Sequence, residues 1–196
     1  PSAFFSNPMQ FFVVWEGGMA FHGGLLGVTL AIILFARVNR LSILSVGDLC
    51  GAIVPFGLFF GRIANFINAE MYGKLTDVPW AVEFPVRIQG LAEPIFQARH
   101  PTQLYEAIFE GFLMFFLMRY LTHSRLAFKR PGLVAGAFLL AYGTARICVE
   151  FFKEWDYTQY FTTTYFSEGM VYSLPMLAVG AYLVLHAMRA KLSATE

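Results

Sequence analysis

Two stretches set ionisable side chains among apolar ones. In "PFGLFFGRIANFINAEMYG" stand Arg62, Asn65, Asn68 and Glu70; in "LLAYGTARICVEFF" stand Tyr142, Arg146 and Glu150. The second set is spaced i, i+4, i+8, which makes one polar stripe on an otherwise apolar helix, and Arg62 and Asn65, at i,i+3, share a face. A guanidinium in apolar surroundings is costly unless it is paired or lines a wet cavity. Arg146 and Glu150 can pair with each other as a structural ion pair. The alternative takes both arginines together: at comparable depth they would face one cavity, and two guanidinium forks suit a phosphate.

A third stretch, "RHPTQLYEAIFEG", opens with Pro101 placed to start a helix. Glu106 and Glu110, at i,i+4, share a face and would repel if both were ionised, so they are expected to bridge to an arginine or to a neighbouring helix. Gln103 and Tyr105 fall at the water boundary, and His100 reads as a boundary or capping residue. In "GGMAFHGGLLG", His22 sits between two glycine pairs. A lone histidine there is either structural, bonded to a backbone carbonyl, or catalytic; the glycines favour chemistry by allowing close backbone approach. His123 and His186 read as surface residues, and Cys50 and Cys148 as membrane-buried packing thiols without ligand spacing.

The elements that carry these residues must be helices in lipid. Of 196 residues, 57% are hydrophobic and only 14% charged, against about 25% charged in soluble domains. One integral-membrane domain over 1–196 is expected. A net charge of +1 gives no electrostatic support for nucleic-acid binding. Apolar segments run over 19–36, 46–67, 104–121, 133–152 and 169–188, each near the length a helix needs to cross a bilayer. Strands alone would leave backbone groups unpaired in lipid. Arg37, Arg40, Arg119, Arg125, Lys129, Arg130, Arg189 and Lys191 all fall on one side if the chain crosses five times, so that side reads as cytoplasmic. The fold class is therefore an all-α polytopic bundle of about five helices. The mixed-polarity stretch 72–101 forms a small extracytoplasmic cap with a short strand or two.

"GGMAFHGGLLG", "GRIANFINAEMYG", "RHPTQLYEAIFEG" and "YGTARICVEFF", four blocks in order, resemble the signature blocks of the bacterial prolipoprotein diacylglyceryl transferases. The most distinctive, GRxxNFxNxExxG, is present as Gly61, Arg62, Asn65, Phe66, Asn68, Glu70 and Gly73. The resemblance implies a seven-helix enzyme of the bacterial inner membrane, with two further helices and an HWYG-like block ahead of Pro1. It implies transfer of the diacylglyceryl group of phosphatidylglycerol to the lipobox cysteine of a prolipoprotein signal peptide, with release of glycerol phosphate and with no metal or organic cofactor.

On that resemblance, His22 is the candidate base that takes the thiol proton, with lipid orientation as its rival role. Arg62 and Arg146 would hold the phosphoglycerol head group. Asn65 and Asn68 would bond head-group oxygens or fix Arg62, Glu70 and Glu150 would hold the arginines in place, and Tyr142 would donate to a lipid oxygen. Gly73 would permit the turn where the helix leaves the membrane. An anion or lipid transporter also places arginines and glutamates inside a bundle, and is the alternative reading. A scaffold with purely structural charges is the third.

Overall fold

A computed structural model describes residues 21–87, 93–124, 127–154 and 166–189, without the side chains of 21–23, 25 and 124. The chain divides into two compact units, Pro1–Ile43 and Leu44–Glu196. In the first, helix α1 (Phe21–Val38) is predominantly apolar and carries Arg37 in its last turn. It ends at Arg40, whose φ of 56° is left-handed, and the Leu41 amide returns to the Ala36 carbonyl at 2.8 Å. This closes otherwise unpaired carbonyls at the helix end.

The second unit holds the remaining helices. They are α2 (Ile43–Ile67, whose first residue closes the first unit), α3 (Thr102–Glu106), a π-helical turn (Ala107–Phe112), α4 (Leu113–Ser124), a short 3-10 turn (Ala127–Lys129), α5 (Leu133–Glu150) and α6 (Glu168–Arg189). α2, α5 and α6 are each long and apolar enough to cross a membrane. The third apolar segment of the sequence is one continuous run from α3 through the π turn into α4. With α1, this makes five apolar helical segments among the described residues of an all-α membrane protein with little strand.

Burial runs opposite to that of a water-soluble domain. Asp48, Thr102, Gln103, Glu106 and Glu110 are fully buried, whereas Leu49, Ile53, Phe56 and Phe60 are all more than half exposed along one stripe of α2. Apolar side chains outside and polar ones inside are what hydrocarbon selects, because lipid rewards neither the exposure of charge nor the burial of leucine.

Contacts fix the directions of the helices. Asp48, near the start of α2, accepts the Gly132 and Ala135 amides, each at 2.8 Å, at the start of α5. These helices therefore begin at the same end, close to Lys129 and Arg130. α6 runs antiparallel to α5, since the position of Gly136 faces Gly180 whereas that of Gly143, further along α5, faces Leu177 and Ser173, earlier in α6. A Cβ on Gly136 would stand 2.9 Å from the Gly180 carbonyl and one on Gly180 2.9 Å from the Gly136 carbonyl, so two glycines let the backbones meet. Met114 and Met118 of α4, with Ala127 and Val134, form the apolar core at this basic end.

Asp48 is a side-chain cap supplied across the bundle, on a helix whose own N-cap is Gly132 with no side chain to give. Asp48→Ala leaves the buried Gly132 amide and the part-buried Ala135 amide without their acceptors and is expected to lower stability by about 2–3 kcal/mol, with Asp48→Asn costing about half as much. Unfolding of the two variants in mixed micelles reads the difference; equal stability of Asp48→Ala and wild type would show that the cap contributes nothing.

At the opposite end, strands β1 (Val82–Val86) and β2 (Ile95–Arg99) form an antiparallel pair with Val82 opposite Arg99 and Val86 opposite Ile95. Phe84, buried under the pair, meets Tyr72 (5.3 Å, stacked) and Phe66 of α2 (5.9 Å, edge-on). The hairpin is thereby tied to the end of α2 that carries the charged residues.

Candidate active site

The charged residues of three helical segments meet beneath this cap. Arg62 lies one turn and a residue short of the α2 terminus and Arg146 about one turn short of the α5 terminus, each roughly 6–8 Å in from its helix end. Between them stand Glu106, at the end of α3, and Glu110, in the π turn, both fully buried. Arg62 Nη1 lies 3.3 Å from Glu106 Oε2 and Arg62 Nη2 donates to Glu110 Oε2 at 3.2 Å. Arg146 Nη1 donates to Glu106 Oε1 and lies 3.8 Å from Glu110 Oε1, while Arg146 Nη2 lies 3.4 Å from Glu150 Oε2. Lys153, just past α5 and buried, donates to Glu106 Oε1 at 3.0 Å. Three cations and three carboxylates thus form one network, and Glu106 touches all three cations.

The local sequence explains how they converge. Glu110 stands four positions after Glu106, and Glu150 four after Arg146, so each pair emerges on one face. The π turn begins directly after Glu106 and contains Glu110, and an irregular helix of this kind often marks a functional site. Gly111, within that turn, lets α2 come close: a Cβ there would sit 2.7 Å from Phe59 Cα. Phe59 is three residues before Arg62, so this approach brings the guanidinium within reach of both carboxylates.

Beside the cluster, α2 ends in a tight exit. Ala69 and Met71 have φ of 53° and 61°. In the amide orientation that satisfies both ends, Asn65 Nδ2 donates to Glu70 Oε1 and to the Gly61 carbonyl, each at 3.2 Å. Asn68 Nδ2 donates to the same Glu70 oxygen at 3.4 Å. Backbone carbonyls of Glu70 and Met71 accept from Gln103 Nε2 (2.7 Å) and Thr102 Oγ1 (3.0 Å), which dock the exit on the start of α3.

Arg62 and Arg146 therefore share two carboxylates, and Glu150 holds Arg146. Glu70 is placed differently from expectation: Arg62 is held by Glu106 and Glu110, and Glu70 collects Asn65 and Asn68. Tyr142, one turn before Arg146, stacks on Phe138 at 5.7 Å and packs against the apolar core. Gly73 donates its amide to the His100 carbonyl at 2.9 Å and its carbonyl accepts from Arg99 Nη1 at 3.0 Å. His100 itself meets the Tyr105 hydroxyl (3.1 Å), which accepts from Trp80 Nε1 (2.8 Å). His22 lies in the first turn of α1, and its side chain falls outside the described residues.

Sequence reasoning missed Lys153, although its spacing of three from Glu150 and seven from Arg146 continues the same helical stripe. It also missed Asp48 and the roles of Thr102 and Gln103, which have no periodic signal.

A polytopic helical membrane protein with an interior ion network under a two-stranded antiparallel pair is the class that fold and site define. The family model for prolipoprotein diacylglyceryl transferase matches residues 3–186. The chain belongs to the prolipoprotein diacylglyceryl transferase family. It is 48% identical over 189 residues to a Rhizobium meliloti (strain 1021) protein named phosphatidylglycerol–prolipoprotein diacylglyceryl transferase, covering 96% of this chain and 65% of that protein. Proteins of the same name from Bartonella bacilliformis (44% over 195 residues, 96% of this chain and 66% of the relative) and Mesorhizobium japonicum (47% over 181 residues, 91% and 61%) are similar. The chain thus spans a little under two thirds of the length of these curated relatives.

Proposed function

We propose that the protein to which this chain belongs transfers the diacylglyceryl group of phosphatidylglycerol to the cysteine thiol of a prolipoprotein lipobox in the bacterial inner membrane. The observation that carries this reading is the bridging of Arg62 and Arg146 by the same two buried carboxylates. Paired guanidiniums held in place near a membrane face are suited to an anionic phosphodiester whose acyl chains stay among the helices.

In the reaction a carbon–sulfur bond forms at the terminal glyceryl carbon while the carbon–oxygen bond to phosphate breaks. The thiol proton goes to a base, and glycerol phosphate leaves with the bonding electron pair. Charge grows on the phosphate oxygens as that bond lengthens, so Arg62 and Arg146 act most strongly in the transition state. Asn65 and Asn68, ordered by Glu70, lie next to Arg62 in sequence and supply further donors for head-group oxygens. His22 is assigned as the base, since imidazole titrates near neutrality.

A free thiol with a pKa of about 8.5 is only about 3% thiolate at pH 7. His22→Gln in the full-length protein is accordingly expected to lower turnover about 30-fold at pH 7, with the deficit shrinking as pH rises toward about 8.5 and the thiol ionises unaided. A deficit that stays constant with pH would assign His22 to lipid orientation instead, and near-normal turnover would remove it from the reaction. The overall reading is tested with purified full-length protein, phosphatidylglycerol vesicles and a lipobox peptide, by mass-spectrometric detection of the thioether. Anion flux into sealed vesicles with no thioether would favour a transporter.

A further inference from the structure

The ion network holds more carboxylate than an anion-binding site has use for. Arg62, Arg146 and Lys153 carry three positive charges, and Glu106, Glu110 and Glu150 carry three negative ones. The arginine edges are largely committed: Arg62 presents Nη1 to Glu106 and Nη2 to Glu110, and Arg146 presents Nη1 to Glu106 and Glu110 and Nη2 to Glu150. A phosphodiester brings one more negative charge into this balanced, poorly solvated cluster and needs guanidinium edges that carboxylates already hold.

The carboxylates are not held equally. Glu106 is fixed by three cations, with Lys153 at 3.0 Å in addition to both arginines. Glu110 spans the same two arginines at 3.2 and 3.8 Å and, among the described residues, pairs with no lysine. Its two oxygens face Arg62 and Arg146 as the two free oxygens of a phosphodiester would. It also projects from the π turn, whereas Glu106 closes the regular helix α3.

Resting on the reading given under Proposed function, we propose that Glu110 competes with the lipid phosphodiester for Arg62 and Arg146 and gives up those contacts when the lipid binds, while Glu106 remains as the strut that keeps the two guanidiniums together. Both are positioning residues, and they act on lipid affinity with opposite sign. Removing the charge of the competitor frees the arginines for phosphate. Removing the charge of the strut loosens both arginines and Lys153.

Steady-state kinetics of the full-length protein test this with phosphatidylglycerol as the varied substrate. Glu110→Gln is expected to lower KM for the lipid about tenfold with kcat unimproved, and Glu106→Gln to raise KM about tenfold. A general loss of structure would move both variants the same way. A KM for Glu110→Gln that is unchanged or raised overturns the proposal. Thioether formation by the wild type decides the underlying reading separately. If no thioether forms, equilibrium binding of phosphatidylglycerol to the two variants replaces KM with the same expected signs. Should Glu110→Gln fail to fold, infrared difference spectra of the wild type on adding phosphatidylglycerol take its place: a carboxylate stretching change supports the displacement, and its absence overturns it.

Discussion

Arg146→Lys and Arg62→Lys, each in the full-length protein, are expected to lower kcat/KM for phosphatidylglycerol about 10³-fold, equivalent to about 4 kcal/mol of transition-state stabilisation. The size follows from what lysine cannot reproduce. Arg146 reaches Glu106, Glu110 and Glu150 from two nitrogens, and Arg62 reaches Glu106 and Glu110 from two others. A lysine keeps the charge but offers one nitrogen, so at either site it must abandon at least one buried carboxylate or the substrate. The loss should appear largely in kcat, because the second negative charge on the departing phosphate develops only as the carbon–oxygen bond breaks, with a smaller part in KM from the weaker grip on the charge the phosphodiester already carries. The double variant should lose far less than the product of the single losses, since both arginines act through Glu106 and Glu110. The measurement is the kinetics of thioether formation by variants that melt like the wild type. Full turnover by both lysine variants would leave the network a structural ion cluster only.

The main lines of this site could be read in the sequence because lipid makes charge conspicuous. Arg62 and Arg146 interrupt apolar segments, and the cost of such placement marks them before any geometry is known. The five helical segments and the hairpin were legible for the same reason: apolar runs near bilayer length, then a mixed stretch with prolines. Pairing was less accessible. Helical spacing shows that Glu106 and Glu110 share a face, but which helix they meet depends on how closely α2 approaches the π turn, and that is set by Gly111 against Phe59. Glu70, adjacent in sequence to the arginine block, looked like the partner of Arg62, yet the left-handed exit at Ala69 and Met71 turns the chain away and leaves Glu70 with the asparagines. The π turn itself has no composition that distinguishes it from ordinary helix. Asp48 escaped notice because its partners are backbone amides more than eighty residues away.

Gly73→Ala is expected to lower turnover about 10²-fold and to destabilise the cap by about 1–3 kcal/mol, although it adds a single methyl group. A Cβ at this position would stand 2.5 Å from the Phe152 carbonyl oxygen, 2.7 Å from Thr102 Cγ2 and 2.9 Å from His100 Cβ. Two of these walls cannot yield cheaply. The Phe152 carbonyl accepts the Lys74 amide at 2.9 Å, and Thr102 is fully buried with its hydroxyl bonded to the Met71 carbonyl. Relief must come from moving the segment after α5 away from the exit of α2, at the point where Gly73 and Lys153 pair as an isolated antiparallel bridge. Lys153 is the third cation on Glu106, so the displacement is transmitted to the strut between the arginines. Gly57→Ala is the matched control: it lies within α2 with no described atom near enough to meet a Cβ, and alanine there improves helix propensity. Loss of turnover at Gly73 with wild-type behaviour at Gly57 supports this coupling through the cap. Equal, wild-type turnover of both variants would show that the exit of α2 and the segment carrying Lys153 are free to separate without disturbing the charged site.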